Sequence, residues 1–328
     1  MRRPVTLLAS LAMLAAVAAG CASASNDAND EADRALQTPT TTAAPTTTTT
    51  PAPACDPARS ERPDGPVPPV GQVPADSDMA AILKRGKLRV GVDQNTLFFG
   101  YRDPITGELD GFDIALAKEV ATALFGNPDA IDLRAVTTLQ RQTALQSGEV
   151  DLVASQYTAN CGRRQILDLS TVYYVAHQKL LVRQGSRITG VADLAGKKVC
   201  ATVGSTSLDN IKKLAPKAIV YRVPQRTDCL VALDEGKVDA ITSDDTILLG
   251  FKLQDPDNTE ILPQELSNEP YTLATSKSHP EFGRFVNAVL DQLRADGRLE
   301  QLYRQYLNRA DLGFTPPAAP PPAEYLGS

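Results

Sequence analysis

The chain has 328 residues, with 33 basic and 39 acidic side chains and a formal charge of −6. This acidic balance, with no basic cluster, argues against a nucleic-acid partner, and with His177 and His279 as its two histidines a histidine-rich metal site is excluded as well. Residues 1–21 carry two arginines, an apolar run from Val5 to Ala19 and then Gly20-Cys21, the layout of a secretory signal too short to span a bilayer as a mature helix. Residues 22–77 are rich in Thr, Pro and Ala with little to bury, so a disordered stalk is expected there.

Past the stalk, residues 87–92 alternate like a strand with Asp93 at its carboxyl end, and 103–107 form a Gly-containing hairpin. Residues 111–124 space their apolar side chains as a helix; strand 131–136, helix 139–147 and strand 150–154 complete a βαβ pattern. A crossing at 173–179 opens a second half: strands 179–182 and 197–203, helix 207–214, strand 218–223, helix 229–235 and strand 238–242. The chain returns near 264–271 and ends in helices 280–295 and 298–307, followed by a Pro-rich tail over 313–328 that is not expected to pack.

Residues 144–155 (ALQSGEVDLVAS) return at 232–243 as ALDEGKVDAITS, an offset of 88. In each copy an apolar helix face closes at a glycine, Gly148 or Gly236, suited to the left-handed residue that ends a helix, and a strand follows. Residues at the carboxyl ends of these strands, 156–158 and 244–246, lie where open parallel sheets bind ligands. The pattern gives an α/β protein of two lobes, each a mostly parallel sheet flanked by helices. Lobe 1 takes 78–176 and 266–312, lobe 2 takes 177–265, and two hinge crossings allow closure.

Setting Cys21 aside, Cys55, Cys161, Cys200 and Cys229 admit three pairings in an oxidising compartment. The strand position of Cys200 and the helix start at Cys229 favour Cys200–Cys229, which leaves Cys55–Cys161 to clamp the stalk end to the cleft rim.

Ala18-Ala19-Gly20-Cys21 resembles a bacterial lipobox, which implies a lipid on Cys21 at the outer face of the cell membrane. Over about 80–310 the chain resembles the polar amino-acid solute-binding proteins of ABC importers, solute-binding family 3, which have the type II periplasmic-binding fold. The residues that carry this are Gly111-Phe112-Asp113-Ile114 through Leu116, Val120, Ala121 and Leu124, then 163–170, 196–207 and the strand from Val238-Asp239 to Asp244. An acidic residue is usual in the family where Ala115 stands.

Binding a free amino acid needs an anion site and a cation site. Arg163 has the planar fork that suits the α-carboxylate and stands at the family's position for it, with Thr158, Gln156 and, from the helix opened by 204–207, Thr206 beside it. The alternatives are a plain helix cap at 204–207 and an inward Arg164. Asp244 matches the aspartate that takes the α-ammonium, with Asp93 as a second carboxylate and Asp245 as a competitor. Arg141, one turn after Thr138, resembles the arginine that holds a side-chain carboxylate in glutamate/aspartate-binding members. Phe98, Phe99 and Tyr101 are assigned to the pocket wall, with core packing as the alternative. The resemblance implies a monomeric binding protein for glutamate, aspartate or their amides, partnered by an ABC permease or by a membrane sensor. It implies no catalysis, cofactor or metal, although a cyclohexadienyl-type dehydratase is known on the same fold.

Overall fold

The computed structural model describes residues 55–308, 316–317 and 319–327. The signal segment, Cys21, stalk residues 22–54 and tail residues 309–315 lie outside them. Among the described residues thirteen strands follow in chain order: β1 (Leu88–Val92), β2 (Asn95–Thr96), β3 (Gly100–Arg102), β4 (Leu109–Asp110), β5 (Ile131–Ala135), β6 (Leu152–Thr158) and β7 (Leu167–Leu169) precede β8 (Tyr174–Arg183). After it come β9 (Lys198–Thr202), β10 (Ile219–Val223), β11 (Ala240–Asp244), β12 (Thr259–Ile261) and β13 (Ser267–Ser276).

One sheet runs through both lobes in the order β10-β9-β11-β8-β13-β6-β1-β5. In lobe 1, β5, β1 and β6 are parallel. In lobe 2, β10, β9 and β11 are parallel as well. Between the triplets lie the two ten-residue crossing strands β8 and β13, antiparallel to each other and to the triplet each one meets. The hinge is therefore a pair of hydrogen-bonded strands that belongs to both lobes.

Helices cover both faces, as a buried parallel sheet requires. In lobe 1, Leu88, Val90, Val92, Leu152 and Ala154 pack under helices Phe112–Phe125, Pro280–Ala295 and Arg298–Leu307, while Val153 points the other way, to Ala144, Leu145 and Val150. Lobe 2 repeats the scheme: Leu181, Cys200 and Ile241 meet helices Thr227–Asp234 and Asp245–Gln254, and Leu180, Val182, Val199 and Ala240 meet helix Thr206–Leu214. Alternate strand residues facing opposite layers produce the two cores. Both repeat glycines adopt the left-handed conformation, with φ of 70° at Gly148 and 73° at Gly236. None of the described helices is long and apolar enough to cross a membrane.

Two expectations are corrected. Residues 55–77, placed in the stalk, are packed on lobe 1: Val67 and Val73 join its core, and Ser60 is buried with its hydroxyl donating to the Leu169 carbonyl at 2.6 Å. The tail is not loose either, since Tyr325 is buried and Ser60 pairs with it in a parallel bridge. Each segment alone is too polar to form a core, but together they have one to lean on, the face of helix Pro280–Ala295. Both disulfides form, Cys55–Cys161 with Cα atoms 6.0 Å apart and Cys200–Cys229 with 5.6 Å.

Candidate functional site

The carboxyl end of β6 forms one wall of a cleft. Gln156 there has φ 42°, a conformation unfavourable for a side chain with a Cβ. Its surroundings hold it: the Gln156 N–H donates to the Asp113 carboxylate at 2.8 Å, and the Gln156 side-chain amide donates to the same oxygen. Asp113 is fully buried at the start of helix Phe112–Phe125 and also accepts from the Tyr173 hydroxyl at 2.6 Å. Burial pushes its carboxyl up to about 6, with the Tyr173 and Gln156 hydrogen bonds opposing. The family-like segment at 111–114 thus braces the cleft from behind.

Next to Gln156, the Tyr157 ring is flanked by two guanidiniums, Arg141 with its Cζ 4.8 Å and Arg163 with its Cζ 4.4 Å from the ring centroid. Arg141 is 3% exposed and committed to lobe 1, donating to the carbonyls of Thr138 at 3.0 Å, Ser155 at 2.7 Å and Gln156 at 3.3 Å. Burial, then the neighbouring Arg163, push it down to about 9, which leaves it charged at neutral pH. Arg163 lies in helix Cys161–Ile166, capped by the Asn160 side chain, and donates to the Thr158 carbonyl at 2.7 Å. Arg164 turns away to the Pro57 and Leu169 carbonyls, so Arg163 is the inward one.

Lobe 2 supplies the opposite wall. Ser205 caps helix Thr206–Leu214 by accepting from the Leu208 N–H at 3.1 Å, and Thr206 donates to the Glu269 carboxylate at 2.6 Å. Asp244, at the end of β11, accepts from the Tyr271 hydroxyl at 2.7 Å and the Ser207 hydroxyl at 3.3 Å. Burial first, then the charge of Glu269, push its carboxyl up to about 7. Asp245 lies beside it but accepts from the His177 N–H at 3.3 Å.

The two walls touch. Arg163 donates to the Gly204 carbonyl at 3.1 Å, and Arg226, just before helix Thr227–Asp234, reaches from lobe 2 into lobe 1. Its Nη1 lies 3.0 Å from Asp93 and donates to Thr96 at 2.7 Å and to Gln156 Oε1 at 3.0 Å, and its Nη2 donates to the Thr138 hydroxyl at 3.1 Å. Thr138, Arg141, Gln156, Thr158, Arg163, Thr206 and Asp244 all line one cavity, together with Thr202, Ser205, Ser207, Arg226, Ser243 and Ile247.

Asp93 does not line that cavity. Its carboxylate folds back onto its own loop, accepting from the Gln94 and Asn95 N–H groups and the Thr96 hydroxyl, and meets the cavity only through Arg226. Phe98, Phe99 and Tyr101 are also not on the wall, which corrects their assignment. Phe99 is fully buried edge-on to Phe112, Tyr174 and Tyr271, Phe98 belongs to the same lobe 1 core, and Tyr101 is half-buried on β3. Arg226 is the residue that sequence reasoning missed, yet the repeat offset of 88 aligns it with Thr138, its partner across the cleft.

Two lobes joined by paired strands, with charged groups of both signs meeting in one cavity, form a device for enclosing a small polar molecule. The description "Bacterial extracellular solute-binding proteins, family 3" fits residues 88–309 as a family model. The chain belongs to that family. Among its relatives, this solute-binding protein is 35% identical over 230 residues to the ABC transporter glutamine-binding protein GlnH of Bacillus subtilis, covering 70% of this chain and 84% of that one. It is 31% identical over 243 residues to the glutamate-binding protein GluB of Corynebacterium glutamicum, covering 71% and 82%. The solved solute receptor for L-cysteine of Neisseria gonorrhoeae superposes with a TM-score of 0.70 at 26% identity, covering 74% of this chain and 99% of the receptor. These relatives are binding proteins, and the solute-binding protein described here is one too, not an enzyme. Among its described residues no group of three or more His, Cys, Asp or Glu is placed to hold a metal ion.

Proposed function

We propose that the protein captures a free amino acid with an acidic or amide side chain outside the cell membrane and delivers it to an ABC permease as its lobes close. It acts as a monomer held at the membrane by a lipid on Cys21. One observation carries the ligand class: the cavity is lined by three arginines, Arg141, Arg163 and Arg226, against one carboxylate, Asp244. Asp93 offsets part of that excess through Arg226, a side-chain carboxylate offsets more of it, and a side-chain amide meets it with its carbonyl oxygen. Arg163, the Thr158 region and the capped helix at Thr206 serve the α-carboxylate, and Asp244 serves the α-ammonium. Glutamine- and glutamate-binding relatives support the same class.

Calorimetric titration tests this, and suits a chain without tryptophan. The protein, unfolded and refolded to strip carried-over ligand, is expected to bind glutamate or glutamine with micromolar or tighter affinity. Arg163→Ala is expected to abolish that heat. No heat with any amino acid would overturn the reading.

A further inference from the structure

We propose that Arg226 is a cation that reads the end of the ligand side chain, with Asp93 as its counterion. The inference rests on the amino-acid-binding reading above. Arg141 lines the cavity, but its Nε and Nη1 are committed to three backbone carbonyls, and its plane is fixed over Tyr157. Those bonds hold Arg141 in one orientation and leave Nη2 as the nitrogen it can offer a ligand.

Arg226 is placed differently. Its Nη1 is anchored by Asp93, Thr96 and Gln156, whereas its Nη2 meets the hydroxyl of Thr138, a neutral partner on the cavity wall that a ligand oxygen can replace. Arg226 is 7% exposed, so a bond to its guanidinium is little screened by water. A terminal carboxylate accepts a charge-assisted bond from Nη2, while an amide offers one neutral carbonyl and turns its own N–H donors towards a cation. Arg226 thus favours the acid over the amide, and Asp93, 3.0 Å from Nη1, moderates that preference by cancelling part of the charge. Because Arg226 belongs to lobe 2 and its anchors to lobe 1, the selection operates only in the closed form.

The test is calorimetry of the full folded chain with glutamate and with glutamine, comparing wild type, Arg226→Gln and Asp93→Asn. The readout is the ratio of the two dissociation constants. Arg226→Gln is expected to cut the preference for glutamate by about tenfold or more, the scale of one charge-assisted bond. Asp93→Asn is expected to move the ratio in the opposite direction, since it leaves the guanidinium without its counterion. An unchanged ratio in Arg226→Gln, even with both affinities lowered, overturns the proposal and makes Arg226 a latch alone. A uniform loss in Asp93→Asn overturns the counterion role. Should Arg226→Gln not fold, the sign of the Asp93→Asn shift decides. Wild-type protein that binds no amino acid fails the underlying functional reading instead.

Discussion

Two carboxylates, Asp113 and Asp244, are held well above their ordinary value of 3.8, at about 6 and about 7, in both cases chiefly by burial. A folded-state pKa raised in this way means the native protein binds these protons more tightly than the unfolded chain. The stability they contribute is complete below about pH 4 and is lost as pH rises through 6 and 7. The ligand-free protein is therefore expected to melt at lower temperature at pH 8 than at pH 5.5, and Asp244→Asn should flatten the upper part of that slope. Glu269, Asp245 and Arg226 act on the same carboxylate, so the curve belongs to the cluster and not to Asp244 alone. An α-ammonium placed against Asp244 takes over the proton's role. Binding should accordingly tighten as pH rises from 5.5 to 7.5 and release close to one proton at pH 6, measurable as a buffer-dependent heat. A heat independent of buffer would place the ammonium elsewhere.

Much of the site was legible at the level of elements because the same helix-to-strand unit is used twice. The offset of 88 that aligns Ala144 with Ala232 also aligns Gln156 with Asp244, and both lie near the carboxyl ends of their strands and line the cavity. Thr138 and Arg226 align too, but the copies differ too much around them for the match to be visible, and their contact exists only between closed lobes. The fate of Phe98 and Phe99 was hidden for another reason: aromatic spacing is the same for a core and for a wall, and the direction of one turn decides. Gly204 shows how an element end can govern closure. It sits at φ 80° before the capped helix, and a Cβ there would lie 3.0 Å from the Leu139 Cα of the other lobe. That neighbour is backbone and cannot swing aside, so Gly204→Ala should weaken ligand binding by at least about tenfold, beyond the roughly 1 kcal/mol that a left-handed alanine costs in stability. Calorimetry beside a denaturant curve separates the two effects. The Cys200–Cys229 bond closes a loop of 29 residues and secures the helix that follows Arg226. Replacing both cysteines by alanine should lower stability by about 3 kcal/mol in urea titration.

At the scale of the molecule, the described segments that start at Cys55 and surround Tyr325 pack on lobe 1, and they are tied down at two places with different consequences. Cys55 is bonded to Cys161, the first residue of the helix that carries Arg163, so this tie bears directly on the cleft. The tail is tied elsewhere: the Ser60 N–H donates to the Glu324 carbonyl at 3.0 Å, the Leu326 N–H donates to the Ser60 carbonyl at 2.9 Å, and the Tyr325 ring lies under the Arg62 guanidinium with its hydroxyl on Asp291. Neither Tyr325 nor its partners line the cavity between the lobes. Truncation after Pro317 removes one buried aromatic and its hydrogen bonds, a loss of about 3 kcal/mol. It should leave ligand affinity unchanged. Replacing Cys55 and Cys161 by serine releases a loop of 106 residues and should cost about 4 kcal/mol, and it should also weaken binding, because the first turn under Arg163 loses its anchor. Paired denaturation and calorimetry on the two variants check this. If both lose stability and neither loses affinity, the Asn160 cap and the Thr158 carbonyl hold Arg163 without help from the disulfide. If truncation of the tail alone weakens binding, the packing of helix Pro280–Ala295 reaches the cleft through β13, the crossing strand against which it lies.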